Sequence, residues 1–89
     1  MDAKARVAWN IRKLRVERQV SQEAFAVDAG IDRTYVSRLE RGMENPTVAV
    51  LEGIAAALDV GIEALFAAPA PGVEAPAPLP SGRKRDRLR

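Results

Sequence analysis

The run "DRTYVSRLERG", Asp32 to Gly42, gathers three arginines with threonine, tyrosine and serine in a short stretch of chain. The chemistry open to this set is hydrogen-bond recognition. An arginine can bond bidentately to guanine O6 and N7, Thr and Ser are permissive hydrogen-bonders, and the Thr methyl can touch a thymine. Catalysis lacks its usual parts. The chain contains no histidine and no cysteine, which removes the commonest general base, the commonest zinc ligand, and any thiolate or disulfide. With no nucleophile–base or metal constellation, the expectation is a protein that is not an enzyme and takes no cofactor.

Such side chains are useful only if something aims them. With Gln22 as the first residue of a two-helix unit, Phe25, Ala29, Ile31, Val36 and Leu39 fall where two helices crossing over a tight turn must bury side chains. Ala26 lies at their closest approach, and Gly30 stands where the turn needs a positive φ. Ser21 suits the N-cap of the first helix and Asp32 that of the second, with Gly42 as its stop. These intervals predict a helix-turn-helix over about residues 22–41, in which one helix supports and the other projects.

The flanking sequence supplies further helices. Val7, Ile11 and Leu14 form an apolar stripe from Lys4 to about Gln19. Thr47 caps a helix to about Asp59 striped by Val48, Leu51, Ile54, Ala55 and Leu58, which Gly53 weakens slightly. "ENP" reads as a loop, and "GIEALF" adds one or two turns closed by Pro69. No stretch reads as a strand, so the expected fold is all-α, a compact five-helix bundle. Its expected core is Ile11, Leu14, Phe25, Ile31, Val36, Leu39, Leu51, Ile54 and Leu58.

Eighty-nine residues allow one small domain, with only about 60 to 65% of the unfolded surface buried. Residues 1–67 are assigned to that domain. Five of the six prolines fall in residues 68–89, which read as a Pro/Ala-rich, basic-ended disordered tail. The net charge of +2 also resides there, because the tail carries five Lys/Arg against two acids and leaves the body at −1. A case for nucleic acid must therefore rest on where charges are placed, not on pI. The first residues contain no apolar run long enough for a signal peptide or membrane span, so a cytoplasmic protein without membrane contact is expected.

The stretch "SQEAFAVDAGIDRTYVSRLERGMENPTVAVLEGIAAALDVGIEALF", preceded by "IRKLRVERQV", resembles the phage-repressor and Cro-like helix-turn-helix family, the XRE family. The likeness covers about residues 7–66 and rests on Gln22, Ala26, Gly30, "VSRLERG", "NPT" and "LDV" with "LF" in combination. It implies a transcriptional regulator, a repressor or restriction-modification-type controller, whose third helix enters the major groove of a palindromic double-stranded operator. Arg33, Thr34, Ser37 and Arg38 would then read bases. Gln22, Tyr35, Arg41, Gly42 and Asn45 would meet phosphates. Arg15 and Glu40 correspond to a structural salt bridge between the first helix and the end of the third. No small-molecule ligand is implied.

Ile62, Leu65 and Phe66 cannot all be covered by so small a body, and a shared apolar patch there most simply means a homodimer interface. The sequence also departs from the family pattern. Met43 and Glu44 fall where relatives often carry basic residues, and Phe25 replaces a more usual leucine. Lys4, Arg6, Arg12, Lys13 or the tail would have to supply phosphate contacts that the acidic body lacks. The competing reading is an antitoxin-like protein whose main partner is another polypeptide, with DNA binding as autoregulation.

Overall fold

The computed structural model describes residues 1–69. The tail expected over residues 68–89, with its basic cluster, lies outside them from residue 70 onward. Four α-helices, α1 (Ala3–Glu17), α2 (Gln22–Ala29), α3 (Arg33–Glu40) and α4 (Val48–Ala57), are followed by a 3₁₀ segment (Ile62–Phe66). No strand occurs among the described residues.

Each α-helix starts at a side chain that takes up an otherwise unpaired N–H. Asp2 accepts from Ala5 N at 2.8 Å, Ser21 from Ala24 N at 3.0 Å, Asp32 from Thr34 N at 2.8 Å and Thr47 from Val50 N at 3.1 Å. Each such cap is worth about 1 kcal/mol. The helix ends are equally uniform. Beyond each, a residue in the left-handed region turns the chain back, so that the next N–H reaches a carbonyl five residues earlier. Gly30 (φ 71°) and Gly42 (φ 73°) do this after α2 and α3, while Gln19 (φ 56°) and Asp59 (φ 58°) do it after α1 and α4. The closing bonds are Ile31 N to Ala26 O at 3.0 Å, Met43 N to Arg38 O at 2.9 Å, Val20 N to Arg15 O at 3.2 Å and Val60 N to Ala55 O at 3.0 Å.

The principal packing contacts run in a closed circuit: α1 on α3, α3 on α2, α2 on α4, α4 on the 3₁₀ segment, and that segment back on α1. Ile11, Phe25, Val36, Ile54, Leu58 and Leu65 fill the centre and are fully buried. Leu39, Leu51 and Ala26 join them, whereas Leu14 and Ile31 are only partly buried at the margin. Ala26, expected at the close approach of α2 and α3, is buried.

The expected fifth helix is not an α-helix. Its five residues start at Gly61, which makes no side-chain cap bond, and so short a segment cannot repay α-helix nucleation. What holds it is Asn10, buried in α1, whose Nδ2 donates to Leu65 O and Ala67 O, both at 2.9 Å. That clamp turns the Leu65 side chain inward. Leu65 is fully buried in the core of the single chain, so it is corrected from the expected dimer patch to the core. Phe66, 40% exposed, stays outside.

Candidate nucleic-acid interface

At about 3.6 residues per turn, an eight-residue helix sorts its side chains cleanly. In α3, Val36 and Leu39 point into the core, and the arc opposite them carries Arg33, Thr34, Ser37, Arg38 and Arg41. Arg33, Thr34 and Arg41 are exposed, and Ser37 and Arg38 are half-buried. Tyr35 lies at the margin and packs against the core. Its phenol is held above its ordinary value of 10.0, first by burial and then by the nearby charge of Glu44. It is therefore a neutral hydrogen-bonding group at any physiological pH.

The orientation of α3 is fixed at both ends. At its start, the left-handed Gly30 sets the turn from α2, and no atom of the described residues beyond its chain neighbours lies within 4 Å of where a Cβ would stand. The requirement there is conformation, not space. At its end, Arg15 on α1 binds Glu40 through two parallel bonds, Nε to Oε2 at 2.6 Å and Nη2 to Oε1 at 2.9 Å. Arg15 Nη1 donates to Val20 O at 2.8 Å, and Gln22 Nε2 donates to Glu40 Oε1 at 3.1 Å. Both charged side chains are only 4% exposed. One buried network thus ties together α1, the α1–α2 turn, the start of α2 and the end of α3.

The structure places Gln22 differently from the simplest phosphate-binding picture, since its side chain is engaged by Glu40. The backbone N–H groups of Gln22 and Glu23 remain at the α2 start, because Ser21 caps Ala24. Such groups suit an anion. Arg41 Nε donates to Ser37 O at 3.3 Å, folding that side chain along the last turn. Gly42 shapes the following loop, and Asn45 is exposed within it. Arg6 and Lys13 are partly committed, Arg6 to Phe66 O at 3.3 Å and Lys13 to Glu17 at 3.0 Å.

The two candidate base-reading arginines differ in restraint. Arg33 Nε stands 3.9 Å from Glu23 Oε2, with both side chains 60% exposed. Arg38 Nε donates to Glu44 Oε2 at 2.6 Å, with the two side chains 41% and 26% exposed. Sequence reasoning noted Glu44 where relatives often carry a basic residue and missed this pairing. It also missed Asn10, whose only signal was a polar residue between the buried Val7 and Ile11 on α1.

A family model described as Helix-turn-helix matches residues 11–65. The control protein C.MunI of Mycoplasma sp. is 41% identical over 66 residues, which covers 73% of this chain and 89% of that relative. A hypothetical transcription factor of Neisseria meningitidis is 43% identical over 68 residues, with this chain spanning 64% of its length. The crystal structure of NHTF from Neisseria superposes with a TM-score of 0.74 at 43% identity, covering 76% of this chain and 78% of that one. The restriction-modification controller protein C.Esp1396I, solved as a tetramer in complex with its natural 35 base-pair operator, superposes with a TM-score of 0.68 at 35% identity. The match covers 74% of this chain and 87% of that one.

Proposed function

This chain belongs to the XRE-type helix-turn-helix family of DNA-binding transcription regulators, and from that premise we propose that it binds a palindromic operator as a homodimer, with α3 in the major groove. The observation that carries this reading is the α3 outer arc: Arg33, Thr34, Ser37 and Arg38 share the face away from the core, at an angle locked by Gly30 and the Arg15–Glu40 network. Arginine and the hydroxyl residues there read base edges. The N–H groups at the start of α2, together with Tyr35, Arg41, the backbone at Gly42 and Asn45, position the helix on phosphates.

Restriction-modification controllers and repressors supply the functional type. The resemblance to C.MunI and C.Esp1396I favours the controller form, acting in the cytoplasm by occupying an operator near a promoter. Exposed Phe66 and half-buried Ile62 form the apolar patch proposed for the dimer. Dimerisation would set two copies of α3 about 34 Å apart, one turn of DNA.

Selection from a random DNA pool tests this reading. The expected product is a pair of inverted half-sites about 10 base pairs apart, centre to centre. Phe66→Asp should convert the protein to monomers in sedimentation and abolish the preference for paired half-sites. Selection of no sequence by the intact protein would overturn operator binding, and selection of single half-sites by a monomer would overturn the dimer.

A further inference from the structure

Among the described residues, Glu44 is the one acid that contacts an arginine of the α3 outer arc at full hydrogen-bond strength. The backbone brings it there. Gly42 in the left-handed region and the Met43 N to Arg38 O bond of 2.9 Å fold the loop back over the last turn of α3. Glu44 Oε2 thereby meets Arg38 Nε at 2.6 Å, a short charge-assisted bond. Among the described residues, only the Nε edge is taken. An arginine has five N–H donors, and those of the two terminal nitrogens are left to present an end-on fork.

We propose that Glu44 is the positioning residue for Arg38: its carboxylate fixes the guanidinium so that the terminal fork meets a single guanine, and the base preference at that position depends on Glu44. This rests on the operator-binding reading above. The contrast with Arg33, 3.9 Å from its acid and largely solvated, supplies the independent support. Of the two arginines, one is free to follow phosphate or base, and the other is held in a fixed pose. Holding Arg38 also offsets its charge, which lowers its attraction to generic phosphate while leaving its hydrogen-bond geometry intact. Specificity is gained and raw affinity lost. The charge of the same carboxylate also raises the Tyr35 phenol, after the larger effect of burial.

The test is selected-site binding over a salt series with the full chain, comparing wild type, Glu44→Ala, Glu44→Gln and Arg38→Ala. Glu44→Ala should bind random DNA more tightly, with a salt slope steeper by about 1. Its guanine preference at the Arg38 position should fall by about tenfold. Glu44→Gln keeps an acceptor for Nε without the charge, so it should show the same rise in random binding while retaining most of the preference. A merely obstructive acid gives another pattern. Equal strengthening on operator and random DNA by Glu44→Ala, with the guanine preference unchanged, would overturn the positioning role while leaving operator binding intact. An Arg38→Ala consensus identical to wild type would overturn it too. If wild type selects no sequence, operator binding falls first and the positioning role with it.

Discussion

Two arginine–glutamate pairs bracket α3, and they share a chemistry while differing in surroundings. Arg15–Glu40 is bidentate and 4% exposed on each side, with further bonds from Arg15 Nη1 to Val20 O and from Gln22 Nε2 to Glu40 Oε1. Arg38–Glu44 is a single short bond with the arginine 41% exposed. Burial decides what each can do. A charge inside the protein cannot recover water when its partner leaves, so the inner pair holds the helix in place. An exposed charge can, so the outer pair contributes little to stability and leaves the terminal nitrogens of Arg38 open to a ligand.

The largest expected effect follows from breaking the inner pair. Glu40→Ala should lower unfolding free energy by about 3 to 5 kcal/mol, because Arg15 is left buried without its counterion. In a marginal domain that shows as a large fall in the denaturation midpoint. Replacing Arg15 and Glu40 together by apolar residues should cost less than either single change, a non-additivity that a double-mutant cycle measures.

Gly30→Ala sharpens the comparison by disturbing the other end of α3. The expected loss is about 1 to 2 kcal/mol, from an L-residue held in the left-handed region, since no atom of the described residues beyond its chain neighbours lies within 4 Å of the new Cβ. Thermal denaturation should place it between the inner-pair and outer-pair variants. Glu44→Ala should change stability by about 0 to 1 kcal/mol at most, measured by denaturant titration. A loss as large as that of Glu40→Ala would erase the distinction between the two pairs.

The smallest effect concerns Tyr35, beside the outer pair. Its folded-state phenol binds its proton more tightly than the ordinary value of 10.0. The stabilising contribution is therefore complete below about pH 10 and is lost as pH rises through the folded value. Denaturant titrations at about pH 9 and pH 11 should show a slightly greater loss for wild type than for Tyr35→Phe.

What the sequence made legible was local or strongly patterned. Ser21, Asp32 and Thr47 announce helix starts because capping is a one-residue decision. Gly30 and Gly42 announce the turns because few other residues adopt that φ at low cost. The left-handed Gln19 and Asp59 carry no such signal, and the sequence reading carried α1 and α4 to about these residues, past the observed ends at Glu17 and Ala57. Arg15–Glu40 was available through family resemblance, not periodicity, since 25 residues separate the partners. Asn10 was hidden for the same reason at longer range, reaching 55 and 57 residues ahead. Leu65 followed from Asn10. In a five-residue segment bearing Ile62, Leu65 and Phe66, periodicity cannot choose which side chain turns inward. Arg38–Glu44 depended on the loop path, which "MENP" does not specify.

The most direct measurement is selected-site binding by wild type and Arg38→Ala, with circular dichroism to verify that both are folded. A palindromic consensus for wild type that loses its preference at one position in each half-site for Arg38→Ala is the expected result, and it would place α3 on the bases. An identical consensus from both proteins would contradict base reading by the outer face of α3. No consensus from either would contradict operator recognition altogether.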